Sequence, residues 1–366
     1  MQSSASVVVL LGTGGTIAGV ASSRSENVGY RAAELGAIEL LDSVPGFADG
    51  SIEVEQVSQI DSKDMGFEIW RALAVAVDKH LARKDVVGVV ITHGTDTLEE
   101  TAYFLQRVLA PAKPVVLVAA MRPATSLQAD GPQNLLDAVA VARTRGARGV
   151  VAVLAGIVHS GSEVRKVHPY RLDAFGSGDA GALAQVEEGR LRMHREWPVG
   201  DSLGLDILPL VADHWPQVEI VTSHSEARGN VVRALRAAGV HGIVVAATGN
   251  GSVHHELEKA LLSAQADGLA VLRSTRCLSG GLVEATRSTT LLPSGGALTP
   301  VQARVELILR LLVRRGGGEL GRQRRPVTRA DGSRMAEAGG IHPKPPLATE
   351  GRKNGRKEGR KPVKER

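Results

Sequence analysis

Unbroken apolar runs, not alternating ones, mark the first 160 positions of the chain. Residues 5–11, 86–92, 114–120 and 150–154 are almost wholly aliphatic. A strand wetted on one face alternates apolar with polar, so continuous runs predict strands covered on both faces. Between them, residues 67–83 and 98–109 repeat apolar positions at helical spacing, and the alternation predicts βα units around a parallel sheet. Residues 187–203 are polar and irregular, and 206–216 read as a connection. Predicted strands at 219–222, 242–246 and 270–273 then alternate with helices at 229–238 and 252–266. A last helix at 299–315 opens with Thr299 as cap and Pro300 at its first position. The fold expected is α/β: an N-terminal parallel-sheet domain over 1–195, a linker over 196–218 and a smaller α/β domain over 219–315. Residues 316–366, rich in Gly, Pro, Lys and Arg without apolar period, are expected to be a disordered basic tail.

Composition refines this picture in three ways. Aromatic residues make up only 3% of the 366, so the core must rest on Val, Leu, Ala and Ile. A single cysteine, Cys277, excludes an intrachain disulfide and a multi-cysteine metal site, and fits a reducing compartment. The net charge of +5 is unevenly placed. Fourteen Lys and Arg against six Asp and Glu lie in 316–366, which leaves the rest of the chain mildly acidic. The basicity therefore says little about the ligands of the folded body. No run of eighteen apolar residues is present, so no membrane span is expected. Residues 7–11 have no basic lead-in and no small-residue cleavage site, which reads as a strand and not an export signal, with the cytoplasm as the expected address.

Ligands of open parallel sheets bind where strands lead into helices, and three such turns here are unusually polar: 12–19, 92–97 and 121–131. In the first, Gly12-Thr13-Gly14-Gly15-Thr16-Ile17-Ala18-Gly19, a dinucleotide fingerprint fails at Ile17 and a phosphate loop fails for want of Gly-Lys-Ser/Thr. What remains is a glycine turn presenting hydroxyls, with a plain strand-to-helix turn as the bland alternative. In the second, Thr97 and Glu100 have the spacing of a capping box. Thr95 and Asp96 then stand just ahead of a helix N-terminus, where negative charge is favoured; the bland reading makes Asp96 a cap-region anion. Arg165-Lys166 by itself reads as a solvated pair. The eleven histidines show no zinc spacing, and His254-His255 are expected to diverge on a helix, so solvated histidines and no metal are expected.

Taken together, residues 11–19, 91–105 and the segment Ala119-Ala120-Met121-Arg122-Pro123-Ala124-Thr125-Ser126 with Ala129-Asp130-Gly131-Pro132 and Asn134-Leu135 resemble the signature segments of the bacterial-type L-asparaginase and glutaminase-asparaginase family. Weaker similarity runs through 56–65, 159–175 and 248–251 and ends near 315. The resemblance implies that Thr16 attacks a side-chain amide to form an acyl-enzyme, with Tyr30 activating it and closing over the site. It implies a second set of Thr95, Asp96 and Lys166, with a backbone carbonyl from Ala120, and a substrate α-carboxylate and α-amine held by Ser62 and Asp96. A threonine hydroxyl needs an adjacent base, and lysine is a residue type that can serve. Lys63 stands where exported relatives usually carry glutamine, and Arg165 and Val167 flank Lys166 where threonines are common. Asn250 and Glu284 are the candidates for a contribution from a neighbouring subunit. The implied partner is L-asparagine, the implied assembly a homo-oligomer, dimer or tetramer, and no cofactor is implied.

Two other readings compete. A glutaminase-asparaginase of broader specificity differs only in substrate range; relatives that act on glutamine attached to tRNA carry an extra N-terminal domain, whereas this chain starts at the catalytic strand. The other class is nucleic-acid binding through the tail, where Arg352-Lys353, Arg356-Lys357 and Arg360-Lys361 recur every four residues. Such a tail binds phosphate nonspecifically and lacks aromatics for stacking on bases.

Overall fold

The computed structural model describes residues 6–44, 47, 51–284 and 290–323, with 316–323 as main chain only. The tail reading therefore falls, from 324 onward, outside the described residues. In chain order the first half comprises β1 (Val7–Gly14), α1 (Ala37–Asp42), β2 (Ile52–Ile60), α2 (Phe67–Leu81), β3 (Val86–Thr92), α3 (Leu98–Leu109), β4 (Pro114–Val118), α4 (Gly131–Arg143) and β5 (Gly149–Leu154). Short strands follow: β6 (Ile157–Ser160), β7 (Arg165–Lys166), β8 (Phe175–Gly176), β9 (Ala184–Glu187) and β10 (Arg190–Met193). The second half comprises β11 (Val218–Thr222), α5 (Asn230–Ala237), β12 (Gly242–Ala247), α6 (His255–Ala266), β13 (Ala270–Thr275) and α7 (Pro300–Gln323).

An eight-stranded sheet runs β10-β9-β6-β5-β4-β3-β1-β2. From β5 to β2 its neighbours are parallel, while β6, β9 and β10 extend one edge as antiparallel strands. The apolar runs owe their continuity to layers on both faces. Along β1, Val7, Val9 and Leu11 pack with Trp70, Leu73 and Phe104 from α2 and α3. Val8 and Leu10 pack the other way, with Leu40 of α1 and Leu135 of α4. Successive side chains of a strand point to opposite faces, so a strand sandwiched between helices must be apolar at every position. β2 escapes the pattern because it is an edge strand: on its α2 face Glu55 meets Lys79 and His80 and Glu53 meets Arg83, where an inner strand would bury apolar residues. β10 likewise falls in residues that read as irregular, since its positions are mostly exposed.

β11, β12 and β13 form a parallel three-stranded sheet. Its core is continuous with the first: Val218, Val244 and Leu272 share a cluster with Trp70 and Phe104 through Leu307, Ile308 and Leu312 of α7. The stretch that reads as a connection is tied down rather than free. Trp215 is buried and stacks on Phe67 at 4.6 Å, and Ser202 Oγ donates to Val108 O at 2.6 Å. Thr299 and Gln302 exchange main-chain to side-chain hydrogen bonds at 3.2 and 3.3 Å, capping α7, which continues to Gln323, past the end of the apolar period at 315. No helix among the described residues is long and apolar enough to cross a membrane.

Candidate active site

The turns after β1, β3 and β4 meet at the carboxyl edge of the large sheet. β1 ends at Gly14, and Gly14 and Gly15 have φ 100° and 88°, a region that side chains avoid. A Cβ on Gly15 would overlap the backbone of Gly94, so the first and second polar turns are in direct main-chain contact. Thr13 Oγ1 donates to Thr92 O at 2.7 Å and seals the same junction.

Thr16 opens a short 3-10 turn (Thr16–Ala18) and is buried. Beyond Gly19 the chain loops out and returns antiparallel, with Val20 and Arg31 exchanging backbone hydrogen bonds at 2.9 and 3.0 Å. That return lays the Tyr30 ring on Gly19, where any side chain would collide with it, and puts the phenol 2.6 Å from Thr16 Oγ1. The loop is pinned from outside by the β4 turn. Ala21 N donates to Thr125 Oγ1 at 2.9 Å, and Ser126 Oγ donates to Asn27 Oδ1 at 2.6 Å.

Thr95 is buried in the β3 turn, and Lys166 Nζ donates to its Oγ1 at 2.8 Å and to Asp96 Oδ1 at 2.7 Å. Arg165 and Lys166 are not a solvated pair. As neighbours on β7 they point to opposite faces; the buried Arg165 guanidinium donates to Leu278 O at 2.7 Å, while Lys166 turns to the threonine. Ser62, buried after β2, accepts from Asp96 N at 3.2 Å. Helix α3 starts at Leu98 as the spacing predicts, but Thr97 does not cap it through its side chain. Its hydroxyl donates instead to Ser62 O at 2.8 Å, binding the two turns together.

Beneath these groups lies a polar chain that the sequence does not announce. His93 is fully buried, and burial pushes its pKa down to about 4. Its Nδ1 lies 2.7 Å from Gly94 O, so that nitrogen carries the proton, and Nε2 accepts from Thr101 Oγ1 at 2.9 Å. Thr101 in turn accepts from Trp70 Nε1, also at 2.9 Å. His159 is buried as well, bonded to Ser177 Oγ at 2.8 Å. The solvated reading of the histidines fails for both, and His254 and His255 stack at 4.5 Å where divergence was expected, because His254 is the cap of α6 and not part of it. Glu99 is mostly buried behind Lys166, and desolvation raises its pKa to about 7 against the pull of the Lys166 N–H. Asp130 organises the third turn: its carboxylate accepts from Met121 N at 3.0 Å, Arg122 N at 2.9 Å and Asn134 Nδ2 at 3.1 Å. The signal for that role was present in Asp130-Gly131-Pro132, a helix start, but its side chain faces back to the strand instead of capping α4.

The remaining sequence candidates divide. Ala120 is buried immediately after β4, beside this edge. Lys63 turns away to Asp61 at 2.6 Å and Asp64 at 3.4 Å, and lines a cavity of about 270 Å³ with Phe67, Trp70, Glu100 and Arg304. Asn250 and Glu284 are brought to one place at the end of the small sheet. Asn250 exchanges hydrogen bonds with the Val283 main chain at 3.0 and 2.8 Å, and Glu284 pairs with Arg273 at 3.0 Å; neither is bonded to Thr16 or Thr95. Among the described residues no group of three or more His, Cys, Asp or Glu is placed to hold a metal ion.

Two family models match the chain: Asparaginase, N-terminal, over residues 7–199 and Glutaminase/Asparaginase C-terminal domain over 217–316. L-asparaginase 2 of Escherichia coli is 36% identical over 310 residues, covering 83% of this chain and 88% of the relative. Glutaminase-asparaginase of Pseudomonas fluorescens biotype A is 38% identical, covering 75% and 77%. A crystal structure of a probable cytoplasmic L-asparaginase from Campylobacter jejuni superposes with a TM-score of 0.78 at 38% identity, covering 84% of this chain and 95% of that one. The class is thereby defined as an amidohydrolase. The chain belongs to the asparaginase family, which takes in L-asparaginases and glutaminase-asparaginases.

Proposed function

We propose that the protein hydrolyses L-asparagine to L-aspartate and ammonia through an acyl-enzyme on Thr16. The observation that carries this reading is the meeting of two hydroxyl stations across the Gly15–Gly94 contact: Thr16 with Tyr30, and Thr95 with Lys166 and Asp96. Thr16 Oγ1 attacks the side-chain carbonyl carbon, its proton leaving by way of the Tyr30 phenol 2.6 Å away. The C–N bond breaks, ammonia departs with that proton, and water then cleaves the ester to release aspartate. Thr95 already accepts from the Lys166 ammonium, so its own proton is free to be donated to the reacting group. Ala120 offers a main-chain acceptor for the amide N–H. Ser62 Oγ accepts from Asp96 N and keeps a proton for the substrate α-carboxylate, while the half-exposed Asp96 carboxylate suits the α-amine.

The same reading makes Asn250 and Glu284 contributions to a second subunit's site in a homo-oligomer, a dimer or tetramer. Val283, which Asn250 bonds, is 76% exposed, as a residue covered on assembly would be. The cytoplasm is the compartment proposed, because an exposed unpaired thiol at Cys277 suits reducing conditions. Steady-state ammonia release with L-asparagine and with L-glutamine tests the assignment on wild type, Thr16→Ala and Thr95→Ala. Each variant is expected to lose about 10⁴-fold in kcat, the scale of removing one member of a hydrolytic triad. Full activity in both would end the two-threonine mechanism, and equal turnover of the two amides would favour the broader glutaminase-asparaginase.

A further inference from the structure

Arg122, in the turn after β4, is buried at 6% exposure, yet no carboxylate pairs with its guanidinium among the described residues. Nη1 donates to Met121 O at 3.2 Å and Tyr170 O at 2.8 Å, the guanidinium carbon lies 4.2 Å from the centre of the Tyr170 ring, and Nε is buried without an acceptor. A buried cation with an unanswered donor costs stability, and an apolar side chain of the same volume would fill the space without that cost. Packing alone therefore does not account for it.

What the guanidinium holds is the loop between Lys166 and Phe175. β7 and β8 pair over two residues each, and beyond them only Ala174 O, accepting from Val167 N at 2.8 Å and His168 N at 3.2 Å, continues the ladder, which is too short to fix a strand by itself. Inside the loop, His168 Nδ1 accepts from Tyr170 N and Arg171 N, both at 3.0 Å, which shapes the turn without tying it elsewhere. Arg165 anchors the base of the hairpin through Leu278 O, and Arg122 anchors its far end. Asp130 fixes Arg122 in turn through its backbone N–H.

We propose that Arg122 is a positioning residue for Lys166: stacked on Tyr170 and bonded to its carbonyl, it locks the 167–174 loop against the β4 turn, so that the Lys166 ammonium stays on Thr95 and Asp96. The inference rests on the Thr95–Lys166–Asp96 assignment above. An arginine is required because only a planar guanidinium both stacks on a ring and donates in its own plane; a lysine at 122 does one or the other.

The test is kcat and KM for ammonia release from L-asparagine, with melting temperature recorded alongside. Arg122→Lys and Arg122→Ala are expected to lower kcat about 10- to 100-fold, the scale of an ångström-sized misplacement, with KM changed less than about threefold. Tyr170→Ala, which removes a half-exposed ring, is expected to match them, and Tyr170→Phe to restore wild-type turnover because the face and the backbone carbonyl both remain. In a Lys166→Met background, adding Arg122→Ala is expected to lower the residual rate no further, since no ammonium is left to place. Unchanged kcat in Arg122→Lys and Tyr170→Ala, or a full additional loss in the Lys166→Met background, overturns the inference while leaving the catalytic assignment standing. If Arg122→Ala does not fold, the Tyr170→Ala and Tyr170→Phe pair decides alone. Full activity in Lys166→Met would bring down both the assignment and the inference.

Discussion

Thr16 and Thr95 are the same residue type on neighbouring turns of one sheet, and they differ in how their partners reach them. Thr16 meets a neutral phenol fourteen residues away, delivered by a local hairpin return. Thr95 meets a cation and shares it with a carboxylate, and that cation arrives from 71 residues away on a two-residue strand. The first station is therefore assembled by local chain geometry and a few pins from the β4 turn. The second depends on tertiary structure at every point: the Lys166 hairpin, the Arg122 stack and the Ser62–Thr97 tie. Hydroxyls of equal intrinsic reactivity are thereby placed in different settings, one hydrogen-bonded to a phenol and the other to an ion-paired ammonium.

The charged station is the more sensitive of the two. Lys166→Met is expected to lower kcat by about 10³- to 10⁴-fold, measured by ammonia release; a loss smaller than tenfold would show that Thr95 works without its cation. Tyr30→Phe keeps the ring on Gly19 and deletes only the hydroxyl, so a fall of about 10³-fold is expected with little change in melting temperature. A large thermal shift instead would mean that the phenol serves the fold and not Thr16. Gly15→Ala probes the junction of the two stations. It forces a Cβ into the Gly94 backbone at φ 88°, and is expected to reduce kcat/KM by about 10²-fold for L-asparagine and to lower the melting temperature. Unchanged activity there would show that the turns need not touch.

The smallest effects concern two buried groups flanking Thr95, whose pH dependences run in opposite directions. Glu99 has its pKa raised from 4.5 to about 7, so the folded state holds a proton that the unfolded chain releases. Its contribution is fully present below about pH 4.5 and is lost as pH rises through about 7. His93 is lowered from 6.5 to about 4, so its contribution is present above pH 6.5 and is lost as pH falls through about 4. Urea denaturation between pH 4 and 8 is expected to show Glu99→Gln gaining on wild type as pH rises, by on the order of 2 kcal/mol, and His93→Gln losing its acid-side slope. Parallel curves for wild type and either variant would place that group's titration outside the folded core.

Much of the fold could be read from the chain because its physical cause is local and repeated. β1, β3, β4 and β5 sit between helices on both faces, and such strands must be apolar throughout, so their runs stand out within three residues of the observed bounds. β2 and the β9–β10 hairpin did not show because edge and exposed strands mix polar residues into the pattern. In the site, Thr16, Thr95 and Asp96 were visible as polar residues in glycine turns at strand ends, where parallel sheets place their chemistry. Lys166 looked like half of a solvated pair, because nothing in Arg165-Lys166 tells which side chain points inward. Thr97 looked like a capping-box residue, and His93, with the other histidines, like a solvated one. Lys166 and Thr97 were redirected by neighbours 71 and 35 positions away, His93 by its burial between the Gly94 carbonyl and Thr101.

The sequence by itself therefore determined the inner strands, most of the longer helices between them and the hydroxyl-bearing turns, since period, glycine placement and strand-end position are properties of short segments. Tertiary structure decided which hydroxyl received the phenol and which the ammonium, that Lys63 turned to Asp61, and that Asn250 joined Glu284 through the neighbouring main chain. The physical reason is that hydrogen bonds and ion pairs act over a few ångströms, and only the folded chain sets which distant groups come that close.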